Sequence, residues 1–256
     1  MPVTLSLQDK VAVITGGSRG IGAACVRMFA EAGAKVAFNY QKAKEAAATL
    51  VLECGADRCL AVQAELDGSG GEEKLIGAAT SRFGSVDTLV VNHGVWPPHE
   101  APIDTMTEEQ WHKTIAINLD SVYQLLKHAV AAMKRQGKGG HIVLVSSTAG
   151  QRGEAFHADY AASKGAVISM VKGLAAELAP DGIYVNAVAP GWVRTDMSGA
   201  ALNNAPKMAE VLSLIPLRRI ANPEEIAAPI LFLCTPHAGF VTGEIFNVNG
   251  GAVLVG

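Results

Sequence analysis

Tyr160 and Lys164 stand four residues apart at the end of the stretch S-T-A-G-Q-R-G-E-A-F-H-A-D-Y-A-A-S-K, residues 147–164. An apolar, alanine-rich helical pattern follows, and a helix would place both side chains on one face. A free tyrosine has a pKa of about 10 and carries protons poorly at neutral pH, but a nearby cation favours the phenolate. Lys164 can supply that cation. Ser147 lies just past an apolar run at residues 142–145, where a strand's end can present a hydroxyl to the same pocket. A hydroxyl donor beside a tunable acid suits proton transfer at a carbonyl oxygen. The same spacing also fits an exposed helix pair, so the rest of the chain must discriminate between the two.

The elements that would position these residues form a regular series. Strand-like runs at residues 10–15, 35–39, 58–63, 88–91, 141–145, 184–189 and 244–248 alternate with helical patterns. Helices are predicted up to residue 32, at 43–54, 72–83 and 108–135, around Tyr160, and at 223–234. This alternation predicts one α/β domain over residues 1–256, a Rossmann fold with a doubly wound, seven-stranded parallel sheet and helices on both faces. Residues 192–217 follow the sixth strand, at the end of the sheet where such folds bind ligands, and form the candidate substrate loop.

Composition excludes several classes. The chain has 256 residues, 49% hydrophobic and 18% charged, enough to bury a sizeable core. The net charge is −3 and no Lys/Arg block stands out, so nucleic acid is not an expected partner. Residues 1–10 lack a basic segment followed by an apolar one, and no run reaches the ~18 apolar residues of a membrane span. The expectation is a cytoplasmic protein with no membrane partner. Cys25, Cys54, Cys59 and Cys234 are scattered without metal-ligand or disulfide spacing and read as reduced thiols.

Gly16, Gly20 and Gly22 follow the first strand with the spacing G-x-x-x-G-x-G and open a helix. Strand, glycine loop and helix in that order make a dinucleotide site, because the glycines permit a tight turn and let the backbone approach a pyrophosphate. An acid at the end of the second strand would select NAD(H); here the chain reads Phe38-Asn39-Tyr40-Gln41-Lys42. Arg19 and Lys42 could pair with a 2′-phosphate, which favours NADP(H) over NAD(H).

Taken together, these residues resemble the short-chain dehydrogenase/reductase family over essentially the whole chain. Thr15 to Gly22, with Ser18, Arg19 and Ile21 inside it, looks like the family's T-G-x-x-x-G-I-G loop, and Tyr160 with Lys164 looks like its Y-x-x-x-K centre. Ser147 and Asn118 occupy the positions of its catalytic serine and helix asparagine, and Pro190-Gly191 with Val193 and Thr195 matches the segment that closes over the nicotinamide. The resemblance implies that Tyr160 exchanges a proton with the substrate oxygen and that Ser147 polarises it. Lys164 would lower the tyrosine pKa and hold the ribose, and Asn118 would anchor a water. Glu65 and Leu66 would border the adenine, although the family more often has Asp at the first. Asn92 and Gly94 match the family's N-N-A-G, with His93 replacing a small residue.

The substrate is less legible. Trp96, Gln151, Phe156, His157 and Trp192 lie on segments expected to wall it, with His99 and Arg152 nearby. The general resemblance is greatest to 3-oxoacyl-[acyl-carrier-protein] reductases, which implies an acyl-thioester substrate. Yet Asp181 stands where such enzymes often carry an arginine for the acidic carrier, leaving a ketone, sugar or other small alcohol open. A non-catalytic NADP-binding sensor or structural protein is the reading from another class, but no proton-transfer residue is damaged. The apolar tail at residues 243–256 and two long helices suggest self-association, and the resemblance implies a homotetramer. Changing Arg19 or Lys42 to Asp should shift the kcat/KM ratio from NADP(H) toward NAD(H) by about tenfold or more. Steady-state kinetics with both cofactors checks this, and an unchanged ratio removes the 2′-phosphate assignment.

Overall fold

The computed structural model describes residues 4–255. Residues 1–3 of the amino-terminal segment and Gly256 of the apolar tail lie outside the described residues. Seven parallel strands form one sheet: β1 (Val11–Ile14), β2 (Lys35–Tyr40), β3 (Cys59–Gln63), β4 (Thr88–Val91), β5 (Gly140–Val145), β6 (Ile183–Pro190) and β7 (Ile245–Val248). Their order across the sheet is β3-β2-β1-β4-β5-β6-β7. The chain runs outward one way from β1 and the other way from β4, so the switch point lies between them, and the crevice opens at the strands' carboxyl ends. The expected single-domain fold is observed.

Alternation along the strands builds two core layers. Ala12, Ile14, Val36, Phe38, Val143 and Val188 face one side with Phe29, Ile226 and Ile230. Val13, Ala37, Leu89, Ile142, Leu144 and Val185 face the other with Leu75, Leu125, Met133 and Val171. Strands buried on both faces explain the near-continuous Val/Ile/Leu/Ala runs. The helices are α1 (Gly20–Glu31), α2 (Lys44–Cys54), α3 (Gly71–Phe83), α4 (Glu108–Ile115), α5 (Ser121–Gln136), α6 (Thr148–Arg152), α7 (Ala158–Leu178), α8 (Asp196–Leu202), α9 (Ala205–Leu214) and α10 (Pro223–Leu233). None of the described helices is long and apolar enough to cross a membrane.

Two expectations need correction. Residues 108–135 are not one regular helix: α4 and α5 are joined by a π-turn, Ala116–Asp120, with Asn118 at its centre. A π-turn inserts one residue into the helical ladder and re-aims the side chains around it. The 192–217 loop is also structured. It folds into α8, closed by a Thr195/Ser198 capping box, and α9, capped by Asn204. Val211, Ile215 and Ile220 form a small core of their own beneath it, packed with Trp192 and Met208.

The glycine loop is packed to its limit. A Cβ on Gly22 would lie 2.1 Å from the carbonyl oxygen of Gly16, and Gly16 and Gly20 have φ of 63° and 53°. Gly22→Ala should therefore cost about 1–3 kcal/mol or more, lowering Tm by several degrees. Thermal unfolding checks this; an unchanged Tm would mean that α1 does not need this close approach.

Candidate active site

The cleft at the switch point has a volume of about 520 Å³ and runs from the end of β2 to the start of α8. Its floor is the glycine loop, held by Asn39. The buried Asn39 side chain accepts from Gly16 N–H at 2.7 Å and donates to the Ala64 carbonyl at 3.0 Å. Asn39 thus ties β1, β2 and the exit of β3 together. Gly16, Ser18, Arg19, Gly20, Ile21, Lys42, Glu65 and Leu66 line the cleft, while Gly22 serves behind the loop. Arg19, the N-cap of α1, makes no capping bond, and the helix has no acid in its first turn. The amides at this helix start are therefore left for an anion. Arg19 also reaches Asp196 of α8 at 3.5 Å, both side chains exposed, and Gln41 donates to Glu65.

The opposite wall carries the proton-transfer candidates. Ser147 follows β5 and caps α6, accepting from Ala149 N–H at 3.1 Å, so its own proton stays free to be donated. Tyr160 and Lys164 lie one turn apart on α7, with the ammonium 5.9 Å from the tyrosine ring. Lys164 is buried, 6% exposed, and donates to the Val145 carbonyl at the end of β5 at 2.8 Å. Ser146 donates to the Lys164 carbonyl at 2.9 Å and locks that turn against the sheet. Buried Asp159 accepts from Thr114 at 2.7 Å and Gln110 at 3.2 Å, fixing α7 against α4 beside the tyrosine.

The tyrosine is not already activated. Burial pushes Tyr160 up to about 12; Ser147 pulls it down and Glu154 adds a smaller upward push. Burial also lowers Lys164 to about 8. In the protein alone, desolvation dominates the phenol.

Asn118 works through the backbone. Its Oδ1 accepts from Val95 N–H at 2.8 Å and its Nδ2 donates to the Val95 carbonyl at 2.9 Å and to Ser163 Oγ at 3.2 Å. The exit of β4 is thereby clamped to the π-turn, and Ile117, not Asn118, faces the cleft. Asn92 and Gly94 line it as expected, and a Cβ on Gly94 would sit 3.2 Å from Asn118 Oδ1 and 3.5 Å from Lys164 Nζ. Pro190, Gly191, Val193 and Thr195 close the far side, Gly191 donating to Val248 O at 3.1 Å.

Of the five expected substrate residues, Trp96 and Trp192 line the cleft, edge to face with ring centroids 6.2 Å apart. The other three do not. His157 is buried behind Trp96, stacked on it at 4.8 Å. Phe156 is half exposed at φ 63°, away from the cleft. Gln151 reaches Asn247 of β7 at 2.5 Å. Arg152 and Glu154 take their place on the wall, Glu154 accepting from Trp96 Nε1 at 3.2 Å. Sequence reading missed Glu154, for which a lone acid in a loop carries no signal. Asp181, expected to repel a carrier, is paired with Lys134 at 2.7 Å.

The sheet order and the glycine-floored cleft define a Rossmann-type α/β protein. Residues 16–253 match the family described as enoyl-(acyl carrier protein) reductase. The chain is 39% identical to a 3-oxoacyl-[acyl-carrier-protein] reductase of Synechocystis sp. over 97% of its length and 99% of the relative's. It is 38% identical to an L-rhamnose 1-dehydrogenase (NAD(P)(+)) of Azotobacter vinelandii, covering 96% and 97%. The solved 3-ketoacyl-(acyl-carrier-protein) reductase of Brucella melitensis complexed with NADH superposes with a TM-score of 0.88 at 32% identity, covering 97% of this chain and 100% of that one. The chain belongs to the short-chain dehydrogenase/reductase family, a family of oxidoreductases.

The buried ammonium has a measurable cost. Below pH about 8 the folded protein must carry a desolvated charge that the unfolded chain carries in water; above about 10.5 neither state does. The penalty is full below the folded pKa and is relieved as pH rises between the two values. Lys164→Met removes it, so the unfolding free energy of this variant relative to the wild type should fall by roughly 3 kcal/mol between pH 7 and about 10.5. Denaturant unfolding of both proteins from pH 7 to 10.5 checks this; a gap independent of pH would contradict it.

Proposed function

We propose that this protein is an NADP(H)-dependent oxidoreductase that interconverts a carbonyl and a secondary alcohol, with 3-oxoacyl thioesters as the first substrate class. The observation that carries the reading is the placement of Ser147, Tyr160 and Lys164 on one wall of the cleft whose floor is the uncapped start of α1. The glycine cradle fits a nicotinamide dinucleotide, since side chains at Gly16, Gly22, Gly94 or Gly191 would fill it or strain its walls. Arg19 at the start of α1 and Lys42 just past β2 suit a 2′-phosphate. When bound, the cofactor supplies or accepts the hydride.

The residues' part is proton and charge management. Ser147 donates to the substrate oxygen and holds it beside Tyr160. Tyr160, kept protonated by burial, gives its proton to the oxygen as charge develops there, or takes it in the reverse direction. Lys164 offers a positive charge in a dry wall, where it stabilises the tyrosinate left behind. Trp96, Trp192 and the 192–217 cover keep water from the reacting centre.

A second reading, a sugar or small polyol as substrate, is favoured by Glu154. Its carboxylate, held by Trp96 beside the tyrosine, suits hydroxyl donors better than an acyl chain. The exposed apolar residues Phe246 on β7 and Leu254 and Val255 in the tail support assembly into a homotetramer. Turnover of NADPH with a panel of 3-oxoacyl thioesters, ketones and sugar lactones tests the substrate class. Tyr160→Phe should lower kcat by about 10²–10⁴ with the best substrate while leaving cofactor binding intact. Turnover unaffected by that change would overturn the mechanism; tight NADPH binding without turnover on any substrate would favour a sensor.

A further inference from the structure

His93 stands where the family resemblance calls for a small residue, and the proton-transfer reading leaves it without a role. It is partly buried at the exit of β4, between three elements that shape the cleft. Its Nδ1 lies 2.8 Å from Thr15 Oγ1 at the end of β1, and its Nε2 lies 2.7 Å from Ser121 Oγ at the first residue of α5. The neighbouring bonds assign the protons. Thr15 Oγ1 already accepts from the backbone N–H groups of Asn92 at 2.9 Å and His93 at 3.2 Å, so it acts as donor on its remaining side, where Nδ1 at 2.8 Å is much nearer than the alternative acceptor, the Val90 carbonyl at 3.5 Å. Ser121 donates to the Ile117 carbonyl at 2.7 Å, so its oxygen is free to accept from Nε2–H. One direction of hydrogen bonding runs from Thr15 through the imidazole and Ser121 into the carbonyl of Ile117, within the π-turn.

We propose that His93 is a positioning residue, a neutral Nε2–H imidazole that fastens the exit of β4 to the π-turn and so keeps Asn118 on the Val95 backbone. Two neighbouring residues of one loop are thereby pinned to the same turn: His93 to its far end through Ser121, and Val95 to its centre through Asn118. A π-turn lacks the regular ladder of an α-helix, and an external hydrogen bond to the Ile117 carbonyl's partner sets where its extra residue sits. The neutral form has a second reason. Lys164 is the nearby charge, and burial together with that ammonium lowers the ring to about 3. A charged ring would have two donors, and Thr15 would then have to give up its bond to Nδ1.

The kinetic part of this inference rests on the proposed oxidoreductase reading; the structural part does not. Nitrogen NMR of the full-length, ¹⁵N-labelled protein should show one of its seven histidines as a neutral Nε2–H ring, unchanged from pH 5 to 8 and missing in His93→Ala. Ser121→Ala should move that ring's Nε2 resonance. A ring that titrates in this range, or one protonated on Nδ1, overturns the assignment. Hydrogen exchange at the Val95 amide should quicken by roughly tenfold in both variants, because the second anchor loosens when the first is cut. Unchanged exchange in Ser121→Ala overturns the positioning role. With any substrate that turns over, each variant should lower kcat by about tenfold with cofactor affinity within about threefold, and the double variant should be no worse than the poorer single one. Multiplied losses would show that the two residues act separately and overturn the chain.

Discussion

The hydrogen bond from the Lys164 ammonium to the Val145 carbonyl is the contact around which the cleft is arranged. A buried cation with one backbone acceptor is costly, and it persists only where the surroundings leave no cheaper alternative. Here α7 cannot turn its lysine outward without breaking the bond from Ser146 to the Lys164 carbonyl and the anchoring of Asp159 to α4. Close packing adds to this: a Cβ on Gly150 of α6 would lie 2.6 Å from the Lys164 backbone. The stability given up at Lys164 is held elsewhere, in the two continuous core layers on either side of the sheet.

That arrangement explains why the wall of Tyr160 and Lys164 and the glycine-loop floor need the same sheet. Val145 ends β5, next to β4, whose exit carries Asn92 to Val95; β4 pairs with β1, whose exit is the glycine loop. Three adjacent strand ends thus hold the cation, the clamp and the glycine turn within one rigid layer. Their spacing is set by backbone pairing and not by loop conformation. A switch point between β1 and β4 leaves a crevice there because the connections leave to opposite sides.

Much of this was legible in the chain. The near-continuous apolar runs and the glycine spacing after the first of them led to the strands and the doubly wound order, whereas the Tyr160/Lys164 interval alone fitted an exposed helix pair equally well. What escaped were features set by three-dimensional neighbours. A π-turn has no local sequence signature, so residues 108–135 read as one helix. Gln151, Phe156 and His157 read as wall residues because they follow Ser147, but the short helix α6 and the positive φ at Phe156 turn them away. The tyrosine's pKa was read from charge alone, whereas burial, invisible in a motif, dominates it.

The same balance of burial and charge constrains what can stand beside the lysine. A second cation packed directly against the Lys164 ammonium would raise its cost and push its proton off sooner. An acid in direct contact with it would cancel that charge. A side chain bridging Thr15 and Ser121 in this space must therefore be polar at both ends and uncharged. An imidazole lowered by desolvation meets both conditions, with one acceptor nitrogen and one donor nitrogen facing opposite ways. In an alanine-bearing relative those two hydroxyls would have to find other partners or water. The electrostatics of the cation and the geometry of the π-turn are in this way met by one residue.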